Sequence, residues 1–222
     1  MNKINKLIIL IFFNFSIING LDLLYTKPIK PFTIMLNPAG DAKDAGRVLN
    51  DSFERGVTLQ FCQELKKEIE ANFNNTRVVL TRIPGETLEH LQNANYANRL
   101  DVDFYLSIHF YKETETLPQV FMYHYIIDPF YSQSSLQLHF YTYDNAFLIN
   151  IIKTLKFGNI IKTEFENNLY KNQFNFKGFF GVPFKPLIGI KSPSLALEIG
   201  LKSPNDWQDY IRPVIESIRL II

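Results

Sequence analysis

A single cysteine, Cys62, is the only thiol in this 222-residue sequence. That excludes an intrachain disulfide and any zinc cluster built from several thiolates. Basic excess is missing too: 23 Lys and Arg face 22 Asp and Glu, a net charge of +1, and no long basic run occurs. Nucleic-acid binders carry a basic patch or stripe, so that class is excluded. There is no internal repeat, and no Gly/Ser linker divides the chain into two domains. No apolar run reaches the ~20 residues of a membrane span. What remains, at 46% hydrophobic and 20% charged, has the composition of a folded domain, not of a disordered chain.

The first twenty residues read as a signal peptide. Lys3 and Lys6 form a basic start, and Leu7 to Ile18 form an apolar stretch interrupted by Asn14 and Ser16. Cleavage after Gly20 would leave 21 basic and 22 acidic residues, a net charge of −1. The alternative is an uncleaved N-terminal anchor. No lipobox cysteine lies near the segment. The expected location is outside the cytoplasmic membrane, periplasmic or extracellular, with residues 31–222 as the working domain.

Beyond that segment, strands and helices alternate. Phe32–Asn37, Arg77–Thr81, Asp103–His109, Gln119–Ile126 and Ser194–Ile199 are short apolar runs that read as strands. Val57, Phe61, Leu65 and Ile69 recur every four residues and predict a helix over 57–72, with Cys62 on its apolar side as a buried, inert thiol. Further helices are expected over Thr87–Leu100, Asp144–Leu155, Asn159–Leu169 and Pro204–Ile222. Pro213 should kink or split the last of these. Trp207, Ile211, Ile215 and Ile218 are spaced to dock on the core. The fold class is α/β: one domain, a mixed and mostly parallel sheet with helices on both faces. The aromatic-rich stretch from Phe110 to Phe180 shows no clear period, and its rings are expected to serve in packing. Within it His124 reads as structural or solvent-facing, and His139 has no assigned role. His90, on the second helix, reads as a surface residue.

Chemistry in such folds gathers at the carboxyl ends of strands. His109 ends its strand, Glu198 lies near the end of another, Glu54 stands ahead of the first long helix, and the Asn37–Gly46 loop follows the first strand. One imidazole and two carboxylates in such places suit a zinc hydrolase, although spacing alone favours ordinary polar residues.

The motif order is more specific. Asn37-Pro38-Ala39-Gly40-Asp41-Ala42-Lys43-Asp44-Ala45-Gly46 stands where a family of zinc enzymes has Asp-Pro-Gly-His-Gly-Gly-x-Asp-x-Gly. Glu54 then stands before a long helix, Thr81-Arg82 ends a strand, Ala97-Asn98 precedes Ser107-Ile108-His109, and Pro193, Glu198 and Gly200 close the series. Together these resemble the zinc-dependent N-acetylmuramoyl-L-alanine amidases, type 3 catalytic domain, from Phe32 to the C-terminus. The resemblance implies hydrolysis of the amide between N-acetylmuramic acid and L-alanine in peptidoglycan. It implies Glu54 and His109 as zinc ligands and Glu198 as the catalytic acid/base. Peptidoglycan or muropeptides would be the partner, with a regulatory protein also in view, and the chain is expected to be a monomer. The departures are specific. The family's loop histidine is Gly40, its Asn after Ser-Ile-His is Tyr111, and its leucine before the glutamate is Ala196.

A catalytic zinc site has three protein ligands and an open position. Glu54 and His109 supply two. Asp41 could supply an oxygen if the loop shifts, and otherwise reads as a turn residue. With a third ligand, zinc would activate water and Glu198 would carry its proton to the leaving nitrogen. Three readings stay open: an active amidase with an altered metal set, an inactive relative that binds wall material or regulates another hydrolase, and an unrelated exported α/β protein. The last predicts that Glu54, His109 and Glu198 do not converge.

Overall fold

The structure is a computed structural model that describes residues 30–127 and 142–222. The proposed signal segment and His139 lie outside the described residues. From Pro31 onward the chain forms one compact unit.

Eight strands occur among the described residues: β1 (Phe32–Pro38), β2 (Val48–Leu49), β3 (Ser52–Phe53), β4 (Thr76–Leu80), β5 (Phe104–Lys112), β6 (Gln119–Tyr125), β7 (Asn175–Val182) and β8 (Ser194–Leu201). With them come four α-helices: α1 (Glu54–Asn72), α2 (His90–Leu100), α3 (Ile151–Phe165) and α4 (Ile211–Ile221). The main sheet runs β4-β1-β5-β8-β6-β7. Only the β6/β8 pairing is antiparallel, and the others are parallel. β2 and β3 form a two-stranded hairpin of their own.

Period-two alternation in the strands sorts side chains into two faces. Ile34 and Leu36 of β1, Phe104, Leu106, Ile108 and Phe110 of β5, and Leu195, Leu197 and Ile199 of β8 point to one face. There they meet Val57, Phe61, Leu65 and Ile69 of α1, Phe157, Ile161 and Phe165 of α3, and Val214, Ile215 and Ile218 of α4. Met35, Tyr105 and Ala196 point the other way and pack with Ala94 and Ala97 of α2. Helices therefore cover both faces. On the α2 face, however, the alternating positions turn polar toward the carboxyl ends of the strands: Asn37, then Ser107 and His109, then Glu198.

Several local expectations change. α2 starts at His90, not Thr87, because Glu89 and Gln92 form a reciprocal capping box. The expected helices over 144–155 and 159–169 are instead a 3-10 turn over Tyr143–Asn150 followed by one continuous helix, α3, through Gly158. The C-terminal segment is split, as Pro213 suggested: a 3-10 turn over Asp206–Tyr210, then α4. Pro213 sits in the first turn of α4, where the missing N–H has no intrahelical acceptor to lose. β7 was not expected at all.

Candidate functional site

The loop after β1 turns back over the C-terminal edge of the sheet and delivers Glu54 as the first residue of α1. Gly46 allows this, since its φ is +71° and a Cβ there would stand 2.8 Å from Glu54 Oε2. The Glu54 carboxylate is buried and closely held. Oε2 accepts the Arg47 backbone N–H at 3.0 Å. Oε1 accepts the Phe110 N–H at 3.0 Å and lies 3.6 Å from His109 Nδ1. Burial alone would raise the Glu54 carboxyl. The hydrogen bonds and charges of His109 and Arg47 outweigh it and hold the group below its ordinary value.

His109 has partners at both ring nitrogens. Its Nε2 lies 2.8 Å from Ser107 Oγ, and Ser107 Oγ accepts from Asn37 Nδ2 at 2.9 Å. Asn37 Oδ1 in turn accepts from Thr81 Oγ1 at 2.8 Å and from Asn93 Nδ2 at 3.2 Å. The proton assignment that satisfies this chain has Ser107 donating to Nε2 and the imidazole proton on Nδ1, facing Glu54. The edge of the Phe184 ring closes over His109 at 5.0 Å.

Glu198 lies directly across from His109 in the β5/β8 register and from Phe121 in the β6/β8 register. Both its oxygens are engaged: Oε1 accepts from Arg47 Nη2 at 2.5 Å, and Oε2 accepts from Tyr123 Oη at 2.6 Å. Burial first, then the neighbouring Glu198, pushes the Tyr123 hydroxyl well above the ordinary range, so it stays a donor. The Arg47 guanidinium also lies over the Tyr111 ring, 5.8 Å from its centroid. Arg47 thus touches the site twice, its backbone on Glu54 and its side chain on Glu198.

Glu54, His109 and Glu198 therefore come together, and the expectation of an unrelated fold, that they stay apart, is not met. Gly40 has φ +72°, and a Cβ on it would fall 2.7 Å from Arg55 Cβ. Asp41 Oδ1 accepts the backbone N–H groups of Lys43 and Asp44 at 2.8 and 2.7 Å, so its carboxylate caps its own turn. Arg82, from the Thr81-Arg82 pair, is buried and donates to the carbonyls of Pro38, Ala39 and Arg55, clamping this loop onto α1. Among the described residues, no three His, Cys, Asp or Glu side chains come together as a metal-holding group.

His124 is buried against Phe179, at 5.1 Å, and burial lowers its basicity, so it is structural. His90 is exposed and lines the cavity beside His109. Cys62 is buried, and burial pushes its thiol far up, as expected of an inert group. The residues that motif reasoning missed are Arg47, Tyr123 and Glu113. The Glu113 carboxylate takes three backbone N–H groups, of Thr114, Glu115 and Gln119, and the Tyr111 hydroxyl. Gly200, of the Glu-x-Gly ending, makes room for it, since a Cβ there would lie 2.4 Å from Glu113 Oε2.

Comparison with known proteins agrees with this fold. A family model described as N-acetylmuramoyl-L-alanine amidase matches residues 34–213. The N-acetylmuramoyl-L-alanine amidase CwlM of Bacillus licheniformis is 32% identical over 76 residues, which is 34% of this chain and only 30% of that protein. The catalytic domain of the amidase CwlV from Bacillus (Paenibacillus) polymyxa var. colistinus superposes with a TM-score of 0.59 at 18% identity, covering 84% of this chain and 93% of that one. The apo form of the amidase Ami1 from Mycobacterium abscessus gives 0.62 at 12% identity, covering 87% and 99%. With a family match that runs through nearly all of the described residues, the chain belongs to the N-acetylmuramoyl-L-alanine amidase family.

Proposed function

We propose that this chain is exported and engages peptidoglycan at the muramoyl–L-alanine linkage, and that it does so without the zinc-activated water of the family. Family membership and the polar cleft at the carboxyl ends of β1, β5 and β8 support the substrate. The donor set does not fit a catalytic zinc. Two candidate ligands, Glu54 and His109, converge, and a third protein ligand is needed. Gly40 offers no side chain, and Asp41 is committed to its own turn.

The observation that carries this reading is the contact of the Arg47 guanidinium with Glu198, 2.5 Å from Nη2 to Oε1. A general base must stand within hydrogen-bond reach of the water proton, and donors on both oxygens take up part of the acceptor capacity it would use. Here Arg47 holds one oxygen and Tyr123 the other. The cation in this cleft is a side chain. It would also repel a divalent ion drawn toward Glu54, whose Oε2 already accepts the backbone N–H of the same arginine.

A second reading is favoured by a specific observation: His109 Nδ1 stands 3.6 Å from Glu54 Oε1, and Glu198 is the register neighbour of His109. In it the chain is a working amidase, Glu54 and His109 hold zinc with a ligand gained by loop movement, and Glu198 is the acid/base. One experiment separates the two. Purified peptidoglycan is incubated with the protein and with Glu198→Ala, with and without added zinc, and both sedimentation and release of stem peptide are measured. Co-sedimentation without release is the expected result. Release by the parent that disappears in Glu198→Ala would establish the amidase reading in its place. Neither co-sedimentation nor release by a folded protein would remove peptidoglycan as the target.

A further inference from the structure

Two cavities flank the His109–Glu198 pair, and their chemistry differs. The one beside His109, of about 240 Å³, is lined by charged and polar groups, among them Lys43, Arg82, His90 and Asp41. The other, beside Glu198, measures about 500 Å³ and is lined by Tyr111, Phe121, Tyr123, Arg47, Glu113 and Gln119. That volume is within the ~300–1,000 Å³ usual for a small-molecule site.

The rings of this second cavity are set in place before any ligand arrives. Phe121 and Tyr123 stand on one face of β6 with parallel planes, 6° apart in tilt and 6.5 Å between centroids. Tyr123 is held from behind by Phe184, at 5.3 Å, and at its hydroxyl by Glu198. Tyr111 is held by Glu113 at 3.0 Å and lies beneath Arg47. Phe121 and Tyr123 remain partly exposed. Around the rings stand carboxylate acceptors, guanidinium donors and an amide.

We propose that this cavity is a carbohydrate subsite that takes the N-acetylated glycan strand, with the stem peptide directed to the charged cavity on the other side of His109. This rests on the peptidoglycan reading above. A pyranose in the chair form shows a flat face of C–H groups that lies on an aromatic ring, while its equatorial hydroxyl and acetamido groups seek donors and acceptors around the edge. Dispersion over that face is the sum of many small contacts, and rings fixed in advance lose little entropy on binding. A peptide has no comparable use for the site. β6 lies between β8 and β7 with both edges hydrogen-bonded, so no strand can be added to it, and only its side chains are available.

The probes are chitotetraose, a β-1,4-linked tetramer of N-acetylglucosamine, and a free stem tripeptide, each titrated into the full chain. Calorimetry gives affinity, and saturation-transfer NMR shows which sugar protons touch the protein. Chitotetraose should bind with the strongest transfer at its ring C–H protons. Phe121→Ala should weaken it by about tenfold, the scale of one lost ring-face contact, and leave the tripeptide unchanged. Phe121→Leu keeps the apolar bulk without the flat face and should lose nearly as much, which separates recognition from folding. A folded parent that ignores chitotetraose, or Phe121 variants that bind it as tightly as the parent, would overturn the subsite. In that case retained binding of tripeptide and whole peptidoglycan leaves the proposed function standing. Chitotetraose binding with no binding of peptidoglycan or tripeptide sinks the proposed function alone.

Discussion

Gly40→His is the direct test of the proposed reading, because the resemblance expects a histidine at position 40, and the expected outcome is a destabilised loop and no zinc site. Gly40 has φ +72°, a left-handed conformation that costs an L-residue ~1–2 kcal/mol. Its Cβ would fall 2.7 Å from Arg55 Cβ and 3.0 Å from Arg55 Cα, whereas carbon atoms rest at ~3.5–4.0 Å. Arg55 lies in the first turn of α1 and cannot swing aside. The loop must open instead, at the expense of turn bonds such as Asp41 N–H to Asp44 O at 2.6 Å and Arg55 N–H to Ala45 O at 3.1 Å, ~1 kcal/mol each. Together these predict a loss of ~3–4 kcal/mol, or about 10 °C in Tm for a domain of this size. Gly40→Ala carries the same Cβ and should lose nearly as much, without any possibility of ligation. The assay is thermal unfolding of both variants with and without zinc, beside calorimetric zinc titration. If Gly40→Ala melts within a degree or two of the parent, the steric reasoning is refuted. If Gly40→His takes up one equivalent of zinc tightly and is stabilised by it, the case against the metal fails as well, since zinc at a hundredfold its Kd would add ~2.7 kcal/mol.

Other outcomes follow from the same contacts. Arg47→Met removes a half-exposed cation from Glu198 and should lower stability by only ~1 kcal/mol, read from the urea midpoint. On the proposed reading it should also leave stem-peptide release absent with added zinc, because Glu54 and His109 stay the two candidate ligands that converge. The depressed Glu54 carboxyl stabilises the fold at pH above its ordinary value of 4.5, and that contribution is lost as pH falls from there through the folded value. Glu54→Gln should therefore flatten the acid limb of the stability–pH curve. At neutral pH it should cost ~1–3 kcal/mol, since one amide oxygen cannot serve both the Arg47 and Phe110 N–H groups. An unchanged acid limb in chemical denaturation would contradict this. Gly158→Ala in α3 improves helix propensity by ~1 kcal/mol, yet its Cβ would meet the Phe179 ring at 2.2 Å. A net loss of ~1–3 kcal/mol is expected, and a rise in the unfolding midpoint would show that the ring moves freely.

Much of the sheet was legible because its strands are apolar runs of ordinary length, and β1, β4, β5, β6 and β8 all fall within a few residues of expectation. β7 was not, because Asn175–Val182 is half-exposed with two glycines, and its pairing with β6 is irregular between Val120 and Phe121. Gly178 there has φ +152°, and a Cβ on it would meet the Phe180 ring at 2.6 Å, a close approach that no local pattern encodes. At the site, order of motifs was enough to bring Glu54, His109 and Glu198 together. It could not bring in Arg47. The contact from Arg47 to Glu198 spans 151 residues, and an arginine after a loop glycine carries no local mark of where its side chain ends. Tyr123 was hidden likewise, in an aromatic run whose alternation marks two faces but not which one holds Glu198.

The placement of Glu54 and His109 has a physical account that calls on protein groups alone. A buried carboxylate with no partner but a metal would carry an unpaired charge whenever the metal was absent. Glu54 has protein partners: its two oxygens terminate the backbone N–H groups of Arg47 and Phe110, which lie on different elements. It holds the β1–α1 loop to the end of β5 whatever else is bound. His109 closes a chain from Asn37 through Ser107 to Glu54, so its removal leaves Ser107 Oγ and Glu54 Oε1 each short of a neighbour. Arg47 then serves both carboxylates, Glu54 through its backbone N–H and Glu198 through its charged guanidinium. Glu54, His109 and Glu198 thus each have partners within the fold that are independent of hydrolysis. The proposed binding to peptidoglycan calls only on the shape of the cleft, its two differing cavities and their fixed donors.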